Sequence, residues 1–254
     1  MPEKSTTGIS DNINKYEVTV SALLSMTIII IILAVILYLA YITAALYLSA
    51  VHDTRPPRPV VYVCCLLAIV SVSLNGAYGV EATGLLFLSI LTGLLTVMTL
   101  TDIAVCRLPR IFTLSLIVLG AAFRYSLEEL TYSLLNASLW FGMTYLLRQF
   151  FITAKGTEAL GLGDVFLIAG IAMWTQPQHT PQLITAAASG AFLFILLFCR
   201  RRRQQALPFA PFLCASLYAL TLLPDSVFRT SEIFTCKSSD TMTTKVLFCL
   251  KYWR

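Results

Sequence analysis

Two aspartates stand out in this 254-residue chain because of where they fall. Asp102 lies in Thr101-Asp102-Ile103-Ala104-Val105-Cys106-Arg107-Leu108-Pro109, at the end of one apolar run. Asp164 closes Gly161-Leu162-Gly163-Asp164 and opens another run, Val165-Phe166-Leu167. A carboxyl group at the edge of a bilayer costs free energy to keep there, so it is a functional candidate by default. Two facing aspartates suit peptide hydrolysis. When they share a proton, like-charge repulsion keeps one neutral and the other ionised. The ionised partner draws a proton from water while the neutral one polarises a carbonyl. Such a pair titrates as a unit. Gly161 and Gly163 would permit unusual backbone angles and the close approach of another chain, such as an extended substrate. Asp164 at a helix start would have its charge favoured by exposed amides. Simpler roles stand beside these: Asp164 as a helix N-cap, and Asp102 as an interfacial residue paired with Arg107 or Arg110.

Other chemistry-bearing residues offer less. Asp53 sits in a proline-rich turn, and Glu158 is a loop residue near Asp164. The seven cysteines, Cys64, Cys65, Cys106, Cys199, Cys214, Cys236 and Cys249, form no Cys-x-x-Cys pair, and the only histidines are His52 and His179. Zinc-ligand spacing is absent, so neither a metal site nor a cofactor is expected. Cysteines in apolar runs read as small packed hydrophobes. Cys106 belongs with them, since no histidine is placed to activate it. Cys236 and Cys249 could pair if the C-terminal tail lies outside the cytoplasm.

The elements that must position the two aspartates follow from composition. The chain is 57% hydrophobic and 12% charged, with mean hydropathy +0.80. That charged fraction is about half of what a soluble domain carries, so the composition points to an all-α, polytopic membrane protein. Apolar runs near 22–50, 60–76, 84–106, 111–125, 131–150, 164–175, 182–199 and 207–223 make about eight candidate transmembrane helices. The first is too long for a secretory signal and lacks a small-residue cleavage site. Residues 1–21 form a polar tail, 22–224 the membrane domain and 225–254 a second tail.

Basic residues alternate between connections. One set holds Arg55, Arg58, Arg107, Arg110, Arg148, Lys155 and Arg200 to Arg203, and the opposite set holds only Arg124. The positive-inside rule makes the first set cytoplasmic, with both termini on the other side. Asp102 and Asp164 then share the cytoplasmic face at similar depth. The Arg200–Arg203 cluster lies between apolar runs and suits an inside-facing loop, so no nucleic-acid partner is expected.

Three motifs in order now carry a resemblance: Asp102 with Leu108-Pro109, the stretch from Gly161 to Val165, and Leu207-Pro208-Phe209-Ala210-Pro211-Phe212-Leu213. Over roughly residues 60–224 the chain resembles the type IV prepilin peptidases, membrane aspartyl proteases of the GxGD class. The resemblance implies that Asp102 and Asp164 are catalytic. It also implies that the substrate is a prepilin or pseudopilin, cut after its short basic leader at the cytoplasmic face of a bacterial inner membrane. Pro208 and Pro211 break regular hydrogen bonding and could leave backbone groups free to hold substrate, or simply kink a helix.

The chain also departs from that family. Phe166 stands where members usually have lysine, Arg110 where a polar residue such as asparagine is usual, and Ala210 where glycine is usual. The missing lysine would remove a positive charge two residues from Asp164. Longer members carry a Cys-x-x-Cys domain between the first two spans and methylate the new N-terminus. Here that position holds only the turn at 51–59, which weakens the expectation of methylation. The expected function is removal of a prepilin leader. The alternative is a non-catalytic assembly or transport component that retains the aspartates for ion pairing or proton movement. Oligomeric state is not legible in the chain.

Overall fold

The computed structural model describes residues 7–52, 54, 56–106, 108–156, 160–198 and 208–222, with backbone alone at 7–23, 52, 155 and 198. Asp53, Arg107, Glu158, Cys199, Arg200 to Arg203, Cys236, Cys249 and the tail 225–254 lie outside the described residues. Among the described residues there are eight helices and no strand: α1 (Thr7–His52), α2 (Arg58–Ala77), α3 (Ala82–Val105), α4 (Arg110–Ser126), α5 (Leu130–Lys155), α6 (Leu162–Trp174), α7 (Thr180–Phe198) and α8 (Ala210–Leu222). Each coincides with an apolar run, as expected where hydrophobicity runs without a period of two and prolines punctuate the connections. The exception is α1, whose helical backbone reaches back to Thr7 through the segment read as a polar tail.

Four of these helices contain segments long and apolar enough to cross a membrane: Leu24–Val51, Arg58–Ala77, Ala82–Val105 and Thr180–Leu197. Leucines and isoleucines on α1, α2, α5 and α7 point outward, among them Ile31, Leu39, Leu66, Leu139 and Leu196. Exposed apolar faces of this kind suit lipid rather than water. The chain is a membrane protein. Helices α6 and α8 are apolar but have only 13 residues each. At 1.5 Å per residue each spans about 20 Å, against about 30 Å of hydrocarbon. Short helices of this kind can end below the bilayer surface.

The core gathers around α3 and α6. Helix α3 packs against α1, α2, α4 and α8, while α6 packs against α4, α5, α7 and α8. Leu85, Leu88, Leu91, Leu95 and Met98 of α3 are buried with Leu167, Ile168 and Ile171 of α6. Because lipid tails are as apolar as leucine, close packing and polar ties must supply helix association. Both are present. Gly120 admits the Trp174 indole and Gly170 admits Leu116, so α4 and α6 approach closely. The Trp174 indole N–H then donates to the Leu116 carbonyl at 2.9 Å. On the other side, Tyr218 of α8 donates to the Thr92 carbonyl at 3.0 Å, Ser71 and Thr221 lie 2.8 Å apart, and Asn75 donates to the Thr221 carbonyl at 2.9 Å. These ties lock α8 against α2 and α3 in a fixed axial register.

Candidate active site

Asp102 occupies the last turn of α3, which ends at Cys106 in the left-handed conformation (φ 52°). Its side chain is only 4% exposed. The Ala210 backbone N–H donates to its Oδ2 at 3.0 Å, across 108 positions of sequence. Local sequence explains why that amide is available. Phe209 acts as the N-cap of α8, its carbonyl accepting from the amides of Phe212 (3.1 Å) and Leu213 (3.3 Å). Ala210 is therefore the first helical residue, one of the four whose N–H has no partner within a helix. Pro211 follows in the first turn, where its missing N–H removes no helical bond. The two prolines thus begin a helix; they do not kink one. Among the described residues Asp102 has no ion-pair partner, and Arg107 lies outside them.

Asp164 is the third residue of α6, one turn inside its N-cap, Gly161. Its carboxyl folds back toward the Gly161 backbone N–H. That is the placement seen in the reciprocal half of a capping box, in which an acidic side chain at the third position faces the N-cap amide. Gly161 has φ −65° and ψ 145°, and Gly163 is likewise absent from the positive-φ residues, so neither uses unusual backbone angles. Their lack of a side chain matters for space. A Cβ at Gly163 would stand 2.9 Å from Leu108 Cβ, and one at Gly161 would stand 3.2 Å from Asp164 Oδ2. Gly163 therefore lets the α3–α4 connection, with Leu108, lie directly on the first turn of α6. The close approach is by the chain's own loop.

That packing brings the aspartates together. Asp102 and Asp164 are near enough for their charges to interact, and Cys214 of α8 lies within electrostatic reach of both. The N-termini of α6 and α8 converge on the carboxyls, and two positive helix ends favour negative charge there. Asp164, Leu162 and Gly163 are partly exposed and Gly161 and Cys106 are exposed, so water can reach the pair from the end of the bundle. Such a pair can activate a water molecule and hold a polarised carbonyl. Among the described residues no group of three His, Cys, Asp or Glu could hold a metal ion.

Several neighbours sit differently from expectation. Cys106 is exposed rather than packed, because α3 terminates there in a turn that aims it out of the core. Cys64 and Cys214 are buried and Cys65 is half-buried, as their apolar runs imply. The Phe166 ring packs on Phe141 of α5 in a tilted arrangement, centroids 5.3 Å apart. Two residues along a helix is a rotation of about 200°, so position 166 faces away from the Asp164 carboxyl. The charge missing at 166 is therefore lost from the α5 side.

Two contributors left little local trace in the sequence. The Ala210 amide is one, since a main-chain donor has no residue type to mark it. The other is Arg124, counted among loop charges but only 1% exposed. It pairs with Glu129 at 2.7 Å and donates to the Trp174 carbonyl at 2.6 Å, capping the far end of α6. A lone arginine in an apolar run was the signal that could have exposed it.

The description of the type IV leader peptidase family matches residues 89–199, a span that contains both aspartates. A protein of Pectobacterium carotovorum subsp. carotovorum, named prepilin leader peptidase/N-methyltransferase, is 32% identical over 160 residues, covering 61% of this chain and 56% of its own length. A protein of the same name from Aeromonas hydrophila is 29% identical over 176 residues, covering 67% of this chain and 60% of its own. One from Haemophilus influenzae is 29% identical over 105 residues, covering 41% of this chain and 45% of its own. The chain thus spans about half the length of the curated relatives it matches, from 45% to 60% of these three. No solved structure matches.

Proposed function

We propose that this chain, related to the type IV leader peptidases through residues 89–199, is a membrane-embedded aspartic endopeptidase that removes the leader of type IV prepilins or pseudopilins. The observation that carries the reading is that Asp102, in the last turn of α3, and Asp164, in the first turn of α6, come within electrostatic reach of each other at one end of an apolar bundle. The ionised carboxylate takes a proton from water as the water oxygen attacks the scissile carbonyl carbon. The protonated partner gives its proton to the carbonyl oxygen, forming a neutral gem-diol. Collapse returns a proton to the dyad, breaks the C–N bond and protonates the leaving amine. Burial of Asp102 and the two converging helix ends would supply a preorganised, water-poor setting for these transfers.

The site's place at the bundle end fits a substrate whose apolar segment lies in the bilayer, with its polar leader junction just beyond. The loop arginines support the cytoplasmic face of a bacterial inner membrane as that end. Gly161, Gly163, Pro208 and Pro211 then act chiefly by shaping the dyad and the start of α8, with substrate lying alongside them. Co-expression with a prepilin tests the peptidase reading: a leader-length gain in gel mobility is expected, and an unshifted prepilin beside well-expressed protein would overturn it.

A further inference from the structure

We propose that the backbone amide of Ala210 is a positioning group of the dyad, holding Asp102 in its ionised, water-activating form. This rests on the peptidase reading above and adds a division of labour to it. The geometry that carries it is a bond between elements. The first free amide of α8 meets Asp102 Oδ2 at 3.0 Å, and both partners are buried. An N–H can donate to a carboxylate oxygen but offers nothing to a carboxyl proton, so the contact favours the charged form. With Oδ2 engaged by the amide, the peptidase reading assigns the other oxygen to water.

The bond also depends on α8 staying in register. Tyr218 lies two turns further along α8 and donates to the Thr92 carbonyl at 3.0 Å, while Thr221 meets Ser71 at 2.8 Å. Helix α3 thus carries both ends of the clamp, Thr92 for α8's body and Asp102 for its first amide. Among the described residues, the titratable groups in electrostatic reach of Asp102 are Asp164 from α6, Cys214 from α8 and Cys106 at the end of α3 itself. Asp164 lies over the amide of its own turn instead. The two carboxyls therefore face different amides, and the one from α8 meets Asp102.

Proline at position 210 removes this donor selectively. The first helical position tolerates proline, and N-cap residues as a class take the extended backbone that proline demands of its neighbour. Purified wild type, Ala210→Pro and Ala210→Gly are compared on a prepilin substrate across pH. Ala210→Pro is expected to lower kcat about tenfold or more with KM within twofold. The acidic limb of its pH–rate profile should move upward by about one unit, since the carboxylate has lost a donor. Ala210→Gly, which keeps the amide, should restore the wild-type profile. An Ala210→Pro enzyme with wild-type kcat and profile would overturn the inference.

If that variant fails to accumulate, an amide-to-ester replacement at 210, introduced with the α-hydroxy acid analogue of alanine, removes the N–H without a ring and carries the same expectations. A readout without catalysis separates this inference from the peptidase reading. In an Asp164→Asn background, the infrared carboxyl signal lost with Asp102→Asn is titrated with and without the donor. An upward displacement supports the tie even if wild type cleaves no prepilin, which would sink the peptidase reading alone. An unchanged midpoint refutes the tie even if wild type is active.

Discussion

At the scale of single residues, the glycine-rich turn and the two aspartates form one mechanical unit. Gly163 has no room for a methyl group: its Cβ would stand 2.9 Å from Leu108 Cβ. Leu108 sits on the connection that follows Asp102, so a side chain at 163 pushes the two carboxyls apart. Gly163→Ala is expected to cost about 1–3 kcal/mol of stability, as overpacking does, and to lower cleavage at least tenfold. Thermal unfolding in detergent and a cleavage assay check the two halves. Wild-type activity in a stably folded Gly163→Ala protein would contradict this role. The aspartates were legible in sequence because charge is rare in this chain. The reason for each glycine was not, because it depends on Leu108 and on the carboxyl folded back over Gly161. Phe166 could have been placed from helical geometry alone: two residues turn about 200°, which sends it toward Phe141 and away from the dyad.

At the scale of elements, the short helices are the informative ones. Helix α6 is pinned at both ends, by the Asp164 turn at one and by Arg124 on the Trp174 carbonyl at the other. Removing a buried, hydrogen-bonded charge leaves its partners unsatisfied. Arg124→Ala should therefore destabilise the bundle by about 3 kcal/mol, with a lowered Tm and weakened cleavage despite the distance from the dyad. Unchanged Tm would show that Arg124 does not hold α6. The existence and rough bounds of all eight helices were readable from apolar runs, including the short ones at 111–125 and 164–175. Boundary residues were less so. The backbone of α1 continues to Thr7, because polar residues with fair helix propensity can extend a helix beyond its apolar portion. Contacts between elements, such as Ala210 with Asp102 or Tyr218 with Thr92, join positions more than a hundred residues apart. No local pattern encodes them.

At the scale of the molecule, an apolar bundle surrounds a polar site at one end. If the arginine-rich connections face the cytoplasm, Cys106 is exposed beside the dyad on that side. With the other cysteines replaced, a membrane-impermeant thiol reagent should label Cys106 in inverted vesicles and leave it unlabelled in right-side-out ones. The opposite pattern would reverse the topology. Whether Asp102 and Asp164 together carry out the cleavage is decided by mass spectrometry of a prepilin's N-terminus after incubation with wild type, Asp102→Asn or Asp164→Asn, all inserted to equal levels in cells lacking any other such peptidase. Wild type should yield a product shortened by the whole leader, and each variant should leave the leader intact. A correctly shortened N-terminus from either variant would contradict the account.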